Sequence, residues 1–149
     1  MSTTTLTEPI IKTLALNAPV EKAFEHFTKN IHLWWPMATH SLSLEDVATV
    51  VFEATPGGRV YEIERSGKKR EWGRVSQCEP PHRLVFSWVL EAPDKAIEVE
   101  VQFADQGDGK SLLTLTHRGW DKRPDGEEWR GKYDQGWDGV LSNYEKGLV

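Results

Sequence analysis

From residue 47 to residue 119 apolar and polar positions alternate with a period of two, and from 125 onward the period becomes three to four. The first pattern predicts strands and the second an amphipathic helix. The alternating region divides into six runs, 47–54, 59–65, 71–78, 83–91, 96–104 and 111–119. Turn-forming clusters separate them: Thr55-Pro56-Gly57-Gly58, Ser66-Gly67-Lys68-Lys69, Glu79-Pro80-Pro81, Ala92-Pro93-Asp94 and Asp105-Gln106-Gly107-Asp108-Gly109. These links are too short for helical crossovers, so successive strands should run antiparallel. In 96–104, Ile97, Val99, Val101 and Phe103 share one face, while Glu98, Glu100 and Gln102 share the other. In 83–91, Leu84, Phe86, Trp88 and Leu90 face one way, opposite the partly apolar Val85, Ser87 and Val89. One face packed and one solvated is the expected result.

Before the hairpins, residues 1–8 are polar and are expected to fray. Residues 9–16 read as a first strand, stopped by Asn17-Ala18-Pro19. Asn17 is placed to cap a short helix whose apolar face is Val20, Ala23, Phe24 and Phe27, with Pro19 in its first turn. Residues 30–35 predict a second short helix ended by Pro36, and 37–45 a loop. In the last helix, 125–148, the stripe is Trp129, Tyr133, Trp137, Val140, Leu141, Tyr144 and Leu148. Asp125 and Glu128 have capping-box spacing. The fold class is therefore α+β, in one domain spanning 1–149. One helix cannot cover a flat sheet of about seven strands, so the sheet should curl around it. A gap between the two is a pocket site. Gly131, Gly136, Gly139 and Gly147 lie among the aromatics, for close packing or for space, with Gly139 the best candidate for pocket room.

Composition narrows the function. The net charge of −5 disfavours nucleic acid as a partner, and no apolar run is long enough to span a membrane. The N-terminus lacks the regions of a secretory signal, and Cys78 is the single cysteine, so the expected setting is reducing and cytoplasmic. Seven tryptophans in 149 residues are an excess that suits either a core or an aromatic-lined cavity.

Chemical motifs are few. The histidines 26, 32, 40, 82 and 117 show no zinc spacing, and one cysteine excludes a thiolate site; no metal and no cofactor is expected. There is no Gly-x-Ser-x-Gly elbow, and Gly57-Gly58 does not lead into a helix as a phosphate loop would. Glu53, Arg59, Tyr61, Glu64, Arg74, Glu100 and His117 are polar residues at strand positions. Most belong on the solvent face or in cross-strand ion pairs. Arg59 and Arg74 could instead reach an anionic or carbonyl group. His117 shares a face with Leu113 and Leu115, and is either a satisfied core histidine or a pocket residue that orients a ligand or moves a proton.

The segments APVEKAFEHFTKNIHLWWP, VVFEATPGGRVYEI, EWGRVSQCEPPHRLVFSW, LTHRGW and GWDGVLSNYEKGL, in this order and spacing, resemble the START-like helix-grip superfamily of polyketide cyclase, dehydrase and lipid-transfer proteins. Within it the chain is similar to the bacterial branch related to the heat-shock-protein ATPase activator homologue. The resemblance implies a helix-grip fold, with Trp35 at the cavity mouth and His117 and Trp120 at its rim. It implies three readings. The first is a binder of a small hydrophobic or aromatic molecule, contacted by Trp35, Arg59, Tyr61, Trp72, Trp88, His117, Trp120, Trp129, Tyr133 and Trp137. Of the tryptophans, Trp35, Trp129 and Trp137 are the favoured lining. The second is a cyclase or hydrolase using His117 with an acidic or arginine partner. The third is an interaction module, either a regulator of a chaperone ATPase or a homodimer.

Overall fold

In a computed structural model of the chain, residues 7–36, 46–88, 97–122 and 125–148 are described. Seven strands form one antiparallel sheet in the order β1-β7-β6-β5-β4-β3-β2. They are β1 (Ile10–Leu16), β2 (Val47–Phe52), β3 (Arg59–Glu64), β4 (Lys69–Glu79), β5 (Arg83–Ser87), β6 (Glu98–Gly107) and β7 (Lys110–Arg118). Helix α1 (Val20–Thr28) and a 3-10 turn (Ile31–Leu33) follow β1, and the long helix α2 (Gly126–Leu148) closes the chain. A second 3-10 turn, Trp120–Lys122, precedes α2. The short-link rule holds: every hairpin from β2 to β7 joins sheet neighbours, and β1 returns beside β7. The expected second short helix is that single 3-10 turn. The predicted loop 37–45 and the end of the run 83–91 lie outside the described residues.

The inner face of the curled sheet carries Val60, Phe86, Val99, Val101, Phe103, Leu113 and Leu115, all buried. The α2 stripe packs over it. Trp137, Val140, Leu141, Tyr144 and Leu148 are buried, while Trp129 and Tyr133 are only half-buried. The helix is thus sealed at its C-terminal end and more open at its start. The sealed end is fixed by polar bonds. The Tyr144 hydroxyl donates to the Ala23 carbonyl at 2.6 Å, and His26 Nε2 bonds the Tyr144 carbonyl at 3.2 Å. Lys12 on β1 pairs with Asp134 at 2.8 Å and Asp138 at 3.0 Å, and its hydrogen bond holds the Asp134 carboxyl below the ordinary carboxylate range.

Two local expectations are corrected. Asn17 does not cap α1: the N-cap position is Pro19, with extended backbone and no side-chain capping bond. Gly139 does not provide pocket room. It is exposed, and a Cβ built there meets nothing within 4 Å, because the helix turns it toward solvent. Gly147 is the close-packing glycine, since a Cβ there would come within 2.7 Å of His26 Nε2.

The convex face carries an ion-pair ladder. Glu100 accepts from Arg83 at 2.6 Å and from Arg118 at 2.8 Å. Burial opposes ionisation of Glu100, but the two guanidinium groups outweigh it and its pKa is lowered. Glu53 accepts from the backbone N–H of Arg59 at 2.8 Å, and Glu71 pairs with Arg74 at 3.2 Å. These are the cross-strand and local pairs that polar strand positions predict.

Candidate functional site

The sheet and α2 bring one cluster of aromatic side chains together at the more open end of the helix. Trp88, directly after β5, is its hub. Its ring centroid lies 5.8 Å from Trp35, 5.8 Å from Trp72, 6.0 Å from Trp137, 6.1 Å from His117 and 6.4 Å from Tyr133. Trp35 also touches Trp72 at 5.1 Å and Trp137 at 6.0 Å. Tyr133 links the cluster outward to Trp129 at 6.3 Å and inward to the fully buried Trp120 at 5.6 Å. The edge-on and tilted angles are those that aromatic quadrupoles favour.

Each ring has a local reason for its place. The consecutive Trp34 and Trp35 diverge after the 3-10 turn. Trp34 packs on His26, Phe27 and Tyr144 at the sealed end of α2, and Trp35 joins the cluster. Trp72 is the additional residue of a β-bulge. Val60 pairs with Gly73, and the next pair is Tyr61 with Glu71, so Trp72 is left over and turns into the core. Gly73 allows this, because a Cβ there would sit 1.7 Å from the Ser87 carbonyl oxygen. Trp137 and Tyr133 are one turn apart on α2.

Not all ten predicted residues meet. Trp35, Trp72, Trp88, His117, Trp120, Tyr133 and Trp137 form one group, with Trp129 at its half-buried margin. Arg59 and Tyr61 lie elsewhere. Strand alternation puts them on the face of β3 opposite Val60 and Glu62, where Arg59 and Lys69 stand 5.0 and 5.4 Å from the Tyr61 ring centre. Arg74 pairs with Glu71 on the exposed side. The pattern of β3 missed Glu62 as a site residue. Its carboxylate is fully buried and accepts from Trp72 Nε1 at 2.6 Å. The available signal was its position two residues after the core residue Val60, on the same face.

Indole N–H groups donate to acceptors among the described residues. Trp34 donates to the His26 carbonyl, Trp72 to Glu62, Trp88 to Tyr133 Oη, Trp120 to the His117 carbonyl, Trp129 to Asp125 and Trp137 to His117 Nδ1. The Trp137 bond, at 2.9 Å, fixes the chemistry of His117. An indole only donates, so Nδ1 must be the bare acceptor nitrogen and Nε2 must carry the ring proton. Burial pushes the His117 pKa down to about 3, so the imidazole is neutral. The expected acidic or arginine partner for His117 is therefore corrected: Nδ1 is held by an indole. Nε2 is the one buried side-chain polar atom without a hydrogen-bond partner among the described residues.

Among the described residues, two open grooves lie outside this cluster. One, of about 480 Å³, runs between the end of α1 and β2 and includes Lys29, His32, Val50 and Phe52. The other, of about 340 Å³, lies beside His26, Leu33 and Gly147. Among the described residues no group of three or more His, Cys, Asp or Glu side chains is arranged to hold a metal, and no helix is long and apolar enough to cross a membrane.

A curled antiparallel sheet gripping one long C-terminal helix, with an aromatic site between them, defines a START-like helix-grip protein. The family model described as "Activator of Hsp90 ATPase homolog 1-like protein" matches residues 17–146, and the chain belongs to that family. Solved structures agree. An anthrahydroquino-gamma-pyrone synthase, Txn09, is 28% identical, with 95% of this chain and 97% of that one covered and a TM-score of 0.63. CalC from Micromonospora echinospora, a self-sacrificing resistance protein, is 23% identical over 96% of this chain and 95% of its own, with a TM-score of 0.73. The Aha1 dimer from Colwellia psychrerythraea is 16% identical over 94% of this chain and 95% of its own, with a TM-score of 0.66. A comparison with curated proteins found no match.

Proposed function

We propose that this protein binds a small hydrophobic or aromatic molecule between α2 and the sheet, against the aromatic wall around Trp88. The observation that carries this reading is the wall itself. Rings from β4, β7, α2, the residue after β5 and the segment after α1 converge on one place, and its α2 side is half-exposed through Tyr133 and Trp129. Flat apolar ligands gain both buried area and favourable ring geometry from such a surface. The name of the 28%-identical synthase, which describes a fused aromatic compound, supports the same ligand class.

The enzyme reading is weaker on chemistry. A neutral His117 without a carboxylate or guanidinium partner is poorly suited to take up a proton, though it can donate a hydrogen bond. The chaperone reading rests on the family description alone. Among the described residues the exposed large hydrophobics are Ile11 on β1 and Leu33 on the 3-10 turn, which belong to different elements.

Two measurements test the ligand reading. Native mass spectrometry of the protein purified from its own host should retain a small-molecule adduct, and a panel of flat aromatic compounds should include members that raise Tm in a saturable way. No adduct and no compound that raises Tm would overturn it.

A further inference from the structure

We propose that His117 is the polar recognition group of this site, and that its ligand is a flat, uncharged aromatic compound carrying a ketone- or quinone-type oxygen that accepts a hydrogen bond from Nε2–H. The inference rests on the ligand-site reading above and specifies what that site selects.

The ring is fully buried at the end of the inward row Leu113, Leu115, His117 on β7. The Trp137 indole donates to Nδ1 at 2.9 Å, which leaves Nε2 as the protonated nitrogen. Nε2–H has no partner among the described residues. A buried donor without an acceptor is costly, and native proteins keep few of them. Here the orphan is the product of a specific arrangement. Trp137 sets the tautomer, and the Trp120 indole, donating to the His117 carbonyl at 2.9 Å, ties down the same residue from the backbone side. The Trp137 bond satisfies a buried indole and leaves only Nε2 of the imidazole open.

The surroundings define what would satisfy it. The rings nearest to His117 are Trp120 at 4.5 Å, Tyr133 at 5.1 Å, Trp137 at 5.9 Å and Trp88 at 6.1 Å. All are flat and none carries a formal charge at neutral pH. A carboxylate or phosphate placed there would lose its hydration with no countercharge from these rings. A donor group would meet another donor. An uncharged acceptor on a flat skeleton meets neither penalty. On the α2 side the group is bounded by the half-buried Tyr133, whose Oη accepts from Trp88 Nε1 at 3.0 Å.

The test uses a matched pair, 9-fluorenone and fluorene, which share one flat tricyclic skeleton and differ in the carbonyl. Titration of the full-length chain followed by tryptophan fluorescence should show fluorenone binding about tenfold more tightly, the worth of one well-made buried hydrogen bond. In His117→Phe the preference should collapse to within about twofold. A second readout needs no variant: the side-chain ¹H–¹⁵N signal of Nε2 in the wild-type chain should shift with saturating fluorenone and stay in place with fluorene. Equal affinities with an unmoved Nε2 signal would overturn the role of His117 while leaving the aromatic site intact. Binding of neither probe would remove the ligand-site reading as well.

Discussion

His117 and Glu62 are the two residues whose chemistry depends most on where the fold puts them. For His117 the sign of the pH effect follows from its lowered pKa. Its folded-state value is about 3 against an ordinary 6.5, so the unfolded chain takes up a proton where the folded one does not. Its neutral form therefore contributes stability in full above about pH 6.5, and that stability is lost as the pH falls from there toward 3. By pH 5 the loss is about 2 kcal/mol. His26 acts in the same direction, because burial lowers its pKa despite the hydrogen bond to the Tyr144 carbonyl. Urea unfolding between pH 7.5 and 4.5 should show this fall, and His117→Phe should flatten much of it. A wild-type curve that is level over that range would contradict the buried neutral imidazole. Glu62 makes a separate prediction. In Glu62→Leu the Trp72 indole loses its acceptor within the core, so stability should drop by about 1–3 kcal/mol. Glu62→Gln, which keeps a carbonyl oxygen, should recover part of it in the same denaturation assay.

At the scale of elements, β4 and α2 use their glycines in opposite ways. Gly73 sits where β4 approaches β5 so closely that no Cβ fits, and that approach lets Trp72 bulge inward. Gly73→Ala must push the strands apart and should cost about 3 kcal/mol or more, with a shift in tryptophan fluorescence as Trp72 moves. Gly131 and Gly139 on α2 are exposed, and an added Cβ touches nothing. Alanine there should raise stability by roughly 0.5–1 kcal/mol each through helix propensity. Ligand binding should be unchanged. Reduced binding in Gly139→Ala would restore that glycine to the pocket wall. The hydrophobic period that places the inward stripe of α2 also turns Gly139 away from it, about 200° round the helix from Trp137, and its exposure follows from that period.

Over the whole molecule, the aromatic cluster joins residues from 35 to 137, so the site can exist only when the sheet has closed around α2. Unfolding followed by tryptophan fluorescence and by far-ultraviolet circular dichroism should therefore give one coincident transition. A separate, earlier fluorescence change would show the cluster loosening ahead of the fold. Strand alternation, turn residues and the α2 stripe are local signals, set by a period and by backbone preferences. They determined by themselves the seven strands, their antiparallel pairing, the gripping helix and the inward direction of His117. Contacts between distant segments carry no such period. Tertiary structure alone decided that Trp34 and Trp35 part company, that Glu62 is buried against Trp72, and that Arg59 and Tyr61 face away. It also decided that an indole from α2 meets His117 on β7 and fixes which nitrogen bears the proton. A donor's partner is chosen by the packing of elements far apart in the chain, and that choice turned a core-facing histidine into a hydrogen-bond donor with no acceptor among the described residues.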